Sequence, residues 1–281
     1  METASDFGVV EFFAVQTLTT GIFSVWLESY NAGGAAQIAS LVLALVLILV
    51  IIEKSGRAKM RFFGLSRQTR PVQKQKLTHT RGALACLVCL LPFLIGFVLP
   101  TAVIVSHAFD NLNAWITPGL VRALVNSVWL GGIASLLTVT AAIFLVYGVR
   151  LKASRAAQVL LPVTTIGYAA PGAVLGIGLL ITLSTLDHMV ADLALAATGY
   201  EPGLLVTGTS LAIIYAYFVR FFAIGQGAVD AALDRVSPSL PMAARSLGRT
   251  AGGTLKSVYL PLIRGSIGTA LLLVFVDCVK E

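Results

Sequence analysis

Six long apolar runs constrain this chain more than any other feature of its sequence. A helix needs about 20 predominantly apolar residues to cross the hydrocarbon core of a bilayer, and the runs approach or exceed that length. They cover residues 37–52, 82–106, 121–149, 157–183, 204–226 and 262–279. With 57% hydrophobic and 12% charged residues, the chain has too little polar surface for a soluble globule of its size. We therefore predict an all-α membrane protein, a polytopic transmembrane helix bundle with about six spans.

The positive charges are gathered in alternate loops. Residues 53–81 hold nine Lys and Arg, residues 150–155 hold three, and residues 230–264 hold five. The loops between them hold eight acids and neither Lys nor Arg, at 1–36, 107–120 and 184–203. Because positively charged loops stay in the cytoplasm, we predict a multi-pass protein whose basic loops lie inside. The formal net charge of +7 thus reflects orientation in membrane lipid, and we predict no nucleic-acid partner.

A polar, basic interruption at residues 230–261 separates the last two runs. Within it, apolar residues recur at i, i+3, i+4 and i+7, which predicts a short amphipathic helix over residues 239–247. This stripe consists of Leu240, Ala243, Ala244 and Leu247. The interruption therefore contains a small helix that lies beside the membrane rather than across it.

The residues around this helix predict how it begins and ends. Ser237 or Ser239 is expected to cap its start, and Gly248 stands where a helix favours a left-handed terminator. After a turn, a second polar helix is expected to begin at Thr254 and to continue through Pro261 into the sixth run. The interruption is thus predicted to be a helix–turn–helix joined directly to a membrane span.

The spacing within the interruption resembles the cytoplasmic loop of binding-protein-dependent ABC importer permeases. It reads Met-Ala-Ala-x3-Gly-x9-Val-x-Leu-Pro, where the family has Glu-Ala-Ala-x3-Gly-x9-Ile-x-Leu-Pro. Met242 thus replaces the family's Glu, and Val258 replaces Ile. The residues that the resemblance implies as the ATPase-subunit coupling loop are Met242, Ala243, Ala244, Arg245, Gly248, Val258, Leu260 and Pro261. The segments before and after the motif resemble the iron(III)-type branch, in which two permease halves are fused in one polypeptide.

This resemblance implies the fold of a type I ABC importer permease in the bacterial inner (plasma) membrane. It implies ATP-driven import of iron(III), a pair of cytoplasmic ATP-binding subunits and an external solute-binding protein. The sequence contains no phosphate loop, nucleophile elbow or zinc-protease helix, so we predict no catalytic, cofactor or metal site and assign ATP hydrolysis to a separate subunit. The alternative is a secondary transporter or channel for a small solute that has no ATPase partner.

The basic segment 53–81 is interpreted as a cytoplasmic linker between two permease halves. Residues 1–52 would then be the end of the first half, and residues 82–281 the second half without its last span. A weak repeat supports this division, since Glu2-x3-Asp6 resembles Asp277-x3-Glu281 at the end of the sixth run. On this interpretation the chain is expected to be a fragment of a longer permease.

Pro171 and its neighbouring glycines interrupt the fourth run. Pro171 removes a backbone hydrogen bond, and Gly172-x3-Gly176 would let a neighbouring helix approach closely. The segment is either a kinked packing interface or a part of the translocation path, in which freed carbonyls line a cavity. The residues considered for path lining are Tyr168, Pro171, Gly172 and Asn126, although interhelical hydrogen bonding is the preferred interpretation of Asn126.

Three further expectations concern isolated polar residues. Arg220 is expected near the cytoplasmic end of the fifth span, with its side chain reaching the headgroups. His188 and Asp187 are interpreted as a solvated pair rather than as metal ligands. Cys86 and Cys89 are expected to be buried packing residues, because no His or carboxylate neighbours suggest a metal or redox site.

Overall fold

The computed structural model of this chain describes residues 7–58, 77–110, 112, 117–151, 161, 164, 166–200 and 202–280. These residues form helices and turns, and none of them lies in a β-strand. Six helical segments among them are long and apolar enough to cross a membrane: Ala32–Ile52, Thr80–Asp110, Leu120–Leu151, Gly172–Thr198, Ser210–Asp234 and Ala251–Lys280. The predicted all-α architecture with six spans is therefore confirmed.

The helices are numbered here in chain order. They are α1 (Gly8–Phe12), α2 (Leu18–Phe23), α3 (Ala32–Ala58), α4 (His79–Phe93), α5 (Leu99–Asp110), α6 (Leu120–Leu151), α7 (Ile166–Ala169), α8 (Gly172–Thr198), α9 (Ser210–Asp234), α10 (Ser239–Ser246), α11 (Ala251–Thr254) and α12 (Leu260–Lys280). A π-helical turn at Leu94–Val98 joins α4 to α5, and another at Leu255–Tyr259 joins α11 to α12. Both joined pairs therefore form continuous helical segments.

Contacts between residues divide the chain into two compact units. One consists of Met1–Ala58 and Asn126–Glu281, and the other of Lys59–Val125. The predicted linker at 53–81 falls largely on residues 59–76, which lie outside the described residues, as do Glu2, Asp6 and Glu281 of the proposed repeat. The division into two permease halves therefore stays a prediction.

Two apolar clusters hold the first unit together. The larger one joins α6, α9 and α12, with Val139, Phe221 and Val274 at its centre. The smaller one joins α2, α3 and α8 through residues that include Val46 and Ile177. Many other large apolar side chains on these helices are exposed, as expected of helices that turn one side towards lipid.

Two helices continue beyond the runs that hydropathy marked. The structure ends α8 at Thr198 and α9 at Asp234, whereas the sequence placed the ends of these spans at residues 183 and 226. The carboxylate of Asp187 on α8 accepts hydrogen bonds from the backbone N–H groups of Val206 at 3.1 Å and Thr207 at 2.7 Å. These bonds connect α8 to the segment before α9.

The structure corrects two of the expectations for isolated residues. Asp187 is only 3% exposed, so the predicted solvated pair with His188 is wrong: backbone donors satisfy the Asp187 carboxylate, and His188 Nδ1 donates to the Ser184 carbonyl at 2.7 Å. Cys86 and Cys89 are exposed on α4 rather than buried, because the side chains of that helix are left uncovered in its own unit. The third cysteine, Cys278, is buried.

Candidate functional site: the loop between α9 and α12

The short helix α10 forms where the sequence predicted it, but it begins differently. Pro238 occupies the N-cap position with helical angles, φ −57° and ψ −23°, and no side chain caps the helix. The hydroxyls of Ser237 and Ser239 hydrogen-bond to each other at 2.8 Å. The expected serine cap is therefore wrong, because the proline already starts the turn and the Ser237 carbonyl accepts from the Leu240 N–H at 3.1 Å.

The end of α10 agrees with the sequence. Gly248 adopts a left-handed conformation with φ +82°, which glycine reaches without the steric penalty that other residues carry. Its N–H donates to the Arg245 carbonyl at 3.0 Å, and the Arg249 N–H donates to the Ala244 carbonyl at 3.1 Å. The last carbonyls of α10 are thus satisfied within the turn itself.

The helix that follows begins three residues earlier than predicted, at Ala251 rather than Thr254. The helix starts earlier because Thr250 caps it: Thr250 Oγ1 accepts a hydrogen bond from the Gly253 N–H at 3.1 Å. From there one helical segment runs through the π-helical turn into α12. The predicted passage from the loop directly into a membrane span is therefore present.

The apolar residues of α10 are not covered by the rest of the chain. Leu240, Met242 and Leu247 are 46%, 69% and 85% exposed. Ala243 is exposed as well, and Ala244 is half-buried. The helix thus has an apolar surface that the described residues leave open, formed by Leu240, Met242, Ala243 and Leu247; we call it the α10 surface.

The second half of the motif lies in the continuous segment Ala251–Lys280. Val258 is in the π-helical turn, and Leu260 and Pro261 are the first residues of α12. Val258 and Leu260 are half-buried, whereas Pro261 is exposed. Pro261 follows the π-helical turn inside this segment, and a proline has no N–H to donate to a carbonyl of the preceding turn. The motif therefore covers the loop and the entry into a span.

A cavity of about 320 Å³ lies between α10 and the ends of two membrane helices. Tyr147 of α6 is 6% exposed and forms one wall. Its hydroxyl donates to the Ala251 carbonyl at 2.6 Å, and its ring meets the Tyr259 ring edge-on, with centroids 5.4 Å apart. Arg245 of α10 lines the same cavity. The second arm of the loop, α11 with the π-helical turn after it, therefore contacts one side chain of α6.

Arg150 joins the end of α6 to the end of α9. Its guanidinium donates to the carboxylates of Asp230 and of Asp234, the latter at 2.7 Å, and to the Asp230 carbonyl at 3.0 Å. Asp230 and Asp234 are four residues apart on α9 and therefore lie on one face of the helix. From the sequence, Arg150 was counted only among the loop charges. The two acids at helical spacing were a signal that one basic residue could bind both of them.

Pro171 breaks the predicted fourth run, 157–183, as expected, and the fourth membrane segment, Gly172–Thr198, begins directly after it. The short helix α7 ends at Ala169, and Pro171 is the N-cap residue of α8. A Cβ placed on Gly167 would lie 2.5 Å from the carbonyl oxygen of Val219 on α9. The break is therefore packed directly against the α9 backbone, and Tyr168, which is 36% exposed, lies beside this contact.

Arg220 lies at this break and not at the cytoplasmic end of its span. It is in the first half of α9, and its guanidinium lies so close to Gly172 that a Cβ there would overlap with Nη1. The expectation of a side chain that reaches the headgroups is wrong, because α9 begins at Ser210 and continues to Asp234. By contrast, a Cβ on Gly176 would meet no neighbour, so only the first glycine of Gly172-x3-Gly176 is closely approached.

Gln226 fixes the segment before the break to α9. It is 7% exposed, and its side chain donates from Nε2 to the Leu161 carbonyl at 3.2 Å and accepts from the Thr164 hydroxyl. Sequence analysis missed this contact, although a glutamine inside an apolar run is a signal for an interhelical hydrogen bond. Asn126, the other polar residue considered for the path, is exposed near the start of α6.

Nothing in the described residues suggests covalent chemistry at these sites. They contain no group of three or more His, Cys, Asp or Glu that could hold a metal ion. What the geometry provides is mechanical: an exposed short helix, a turn held by its own hydrogen bonds and a tyrosine that contacts the loop where it enters the membrane segment.

Comparison with known proteins gives two relatives, and no protein family model matches the chain. The chain is 25% identical over 280 residues to the Fe(3+)-transport system permease protein FbpB 2 of Haemophilus influenzae, an alignment that covers 98% of this chain and 52% of the relative. It is 27% identical over 161 residues to the putative ferric transport system permease protein FbpB 1 of the same organism, covering 57% of this chain and 23% of that protein.

The chain thus spans about half the length of the first relative. Its alignment with the second relative covers 23% of that protein. The resemblance to iron(III)-type permeases, predicted from the segments that flank the loop motif, is confirmed by both relatives. The predicted multi-pass location in a bacterial inner membrane is confirmed by the same relatives together with the six apolar helical segments of the described residues.

Proposed function

We propose that this chain is the membrane permease component of an ATP-binding-cassette importer. The observation that carries the proposal is the α10 surface, an open apolar patch on a loop that is predicted to be cytoplasmic. Burying apolar surface is favourable by about 25 cal/mol per Å². Binding of a partner that covers the α10 surface would therefore be favoured. The partner we assign is a pair of cytoplasmic ATP-binding subunits, the partner that the loop motif implies.

Docking in this proposal uses the first half of the motif, and transmission uses the second. Met242, Ala243 and Leu247 would enter a groove of the ATPase, because small and flexible apolar side chains allow a close approach. Val258, Leu260 and Pro261 would carry the movement into α12, which continues without a break from the loop. ATP hydrolysis belongs to the separate subunit, and this chain acts as a transport component rather than as an enzyme.

The cargo we propose is iron(III), on the strength of the relatives named as ferric permeases. The broken helix at Pro171 supports a translocation path in this region, since interrupted helices line substrate paths in transporters. Tyr168, Pro171 and Gly172 would line it, with Asn126 nearer the outer end of α6. Selectivity would come from an external solute-binding protein, which delivers the ion to a path that need not bind it tightly.

The alternative is a secondary transporter or channel that works without an ATPase. The α10 surface disfavours it, because such a protein has no use for an open apolar helix on a cytoplasmic loop. The two functions make different predictions for purification: the importer co-purifies with ATP-binding subunits, and the alternative does not.

The decisive experiment is co-purification of the intact gene product with its partners, followed by an ATPase assay in which iron(III) and the binding protein are added. A Leu247→Asp variant is expected to insert normally and to weaken ATPase binding by about 2 kcal/mol, the loss typical of a central interface residue. Leu204→Asp is the matched control, since Leu204 is also exposed, at 52%, but lies before α9 and next to the loop 184–203 that is predicted to be outside. Wild-type binding by Leu247→Asp would contradict the docking role.

A further inference from the structure

The end of α6 is the place where the loop meets the membrane helices. Tyr147 is in the last two turns of α6, and the residue it reaches, Ala251, is 104 positions away in sequence. The hydroxyl-to-carbonyl distance of 2.6 Å lies within the usual range for an O–H···O hydrogen bond. Tyr147 is 6% exposed, so its ring is largely shielded from bulk water.

The loop itself is held together by local hydrogen bonds. The turn at Gly248 satisfies the end of α10, and Thr250 caps α11 through the Gly253 N–H. The Thr254 hydroxyl donates back to the Thr250 carbonyl at 3.0 Å. A force applied to α10 is therefore passed to α11 with little bending in between.

Tyr147 contacts this unit at two places after the turn. Its hydroxyl donates to the Ala251 carbonyl of α11, and Tyr259 packs against its ring. Arg245 of α10 lines the same cavity. Three residues further along α6, Arg150 holds the two acids at the end of α9. The end of α6 is thus connected to the loop through Tyr147 and to α9 through Arg150.

We propose that Tyr147 is a positioning residue that transmits movement of the loop to α6, and through Arg150 to α9. This inference rests on the proposed function, because it is the ATPase subunits that would move the loop. The residue Tyr147 lies outside the loop motif. Through its hydroxyl, movement of the loop would reach α6 as well as α12, which follows the loop directly in the chain.

The first test measures the loop directly and needs neither ATPase nor cargo. Nitroxide labels are placed on cysteines that replace Leu247 and Phe144, which are 85% and 66% exposed, in the full chain with its native cysteines replaced. In Tyr147→Phe, the distribution of distances between the labels is expected to broaden. Tyr259→Phe is the control, because it keeps the ring contact and removes a hydroxyl that has no hydrogen bond in the described residues. Its distribution of label distances should match the wild type.

The second test measures coupling in the assembled transporter with its ATPase subunits and binding protein. Tyr147→Phe should bind the ATPase and hydrolyse ATP, while uptake of radiolabelled iron(III) per ATP falls about five- to tenfold, the factor expected from one lost hydrogen bond. Tyr259→Phe should keep the wild-type ratio. A role limited to stability would lower uptake and hydrolysis together and leave their ratio unchanged.

The outcomes separate this inference from the function on which it rests. An unchanged label distribution in Tyr147→Phe, or an equal loss in both tyrosine variants, overturns the positioning role. If Tyr147→Phe does not assemble, the label measurement on the permease alone still decides. Absence of ATPase binding by the wild type would count against the proposed function, and the label distances would remain a separate result.

Discussion

Two regions of this protein contain glycines for opposite reasons. At the turn after α10, Gly248 has φ +82°, and a Cβ added to it would meet no atom within 4 Å. At the break before α8, Gly167 has an ordinary backbone conformation, but a Cβ would lie 2.5 Å from the Val219 carbonyl oxygen. The first glycine is required by its conformation and the second by lack of space.

This difference indicates how each region is specified. The turn is determined locally and is surrounded by open space, so its shape is preserved while its surface stays available to a partner. The break is determined by its contact with α9, so its shape depends on another helix being in place. We expect substitutions in the turn to impair partner binding and coupling, and substitutions at the break to impair folding.

The largest effect is expected from Gly167→Ala. The added methyl group would press on a backbone carbonyl of α9, which cannot rotate away as a side chain can, and overpacking of this kind costs typically about 1–3 kcal/mol. The variant should give less folded protein in detergent and a lower thermal midpoint, measured by size-exclusion chromatography and a thermal melt.

Gly178→Ala on α8 is the matched control for that variant. A Cβ there would meet no neighbour, and alanine favours a helix over glycine by up to about 1 kcal/mol. Its thermal midpoint should therefore equal or exceed that of the wild type. Equal midpoints for both variants would show that steric exclusion does not define the break.

A smaller loss of stability, with a large effect on function, is expected from Gly248→Val. A β-branched residue in a left-handed conformation carries a local strain of about 1–2 kcal/mol. The loop is exposed, so the protein should still insert, but the turn would rearrange and stimulation of the ATPase should be lost. Stimulation is measured as ATP hydrolysis by the assembled complex relative to the ATPase subunits alone.

Gly252→Ala serves as the control in the same loop, since a Cβ there is unobstructed and the residue lies within α11. It is expected to keep full stimulation. Normal transport by Gly248→Val would rule out a requirement for the left-handed turn, and with it the assignment of the turn to coupling.

The sequence predicted those parts of the molecule that local residues determine. The end of α10 at Gly248, the break at Pro171 and the passage of the loop into α12 all follow from the backbone preferences of glycine and proline. The six apolar segments follow from hydropathy, which is also a property of the local sequence. The positions of these features do not depend on which other helix is adjacent, whereas the shape of the break does, through its contact with α9.

Features that depend on tertiary contacts were missed or misplaced. Arg220 was assigned to the cytoplasmic end of its span rather than to its middle, because hydropathy ended that span at Gln226 while buried Val229 and Leu233 continue α9 to Asp234. The contacts that Tyr147 makes with the loop join residues about a hundred positions apart, and no pattern in one sequence indicates such a pairing. The serine cap failed for a local reason, since Pro238 between the two serines already has helical angles.

The smallest effect is expected from Gly172→Ala, although its Cβ would overlap with Arg220. The obstructing atom is Nη1, at the far end of a flexible side chain, so a change of rotamer costing about 0.5–1.5 kcal/mol relieves the overlap. Alanine also favours the first turn of α8, which offsets part of this cost. The thermal midpoint should thus fall less than in Gly167→Ala.

The double variant Gly172→Ala with Arg220→Lys tests whether the Arg220 guanidinium causes this loss, because lysine keeps the charge but lacks the obstructing nitrogen. If Arg220 is displaced by the methyl group, the penalty for Gly172→Ala disappears in the lysine background, and the two changes are strongly coupled. Additive effects would mean that the guanidinium does not obstruct Gly172. A loss in Gly172→Ala as large as in Gly167→Ala would mean that Arg220 is held as rigidly as the α9 backbone, so that both glycines are fixed by lack of space.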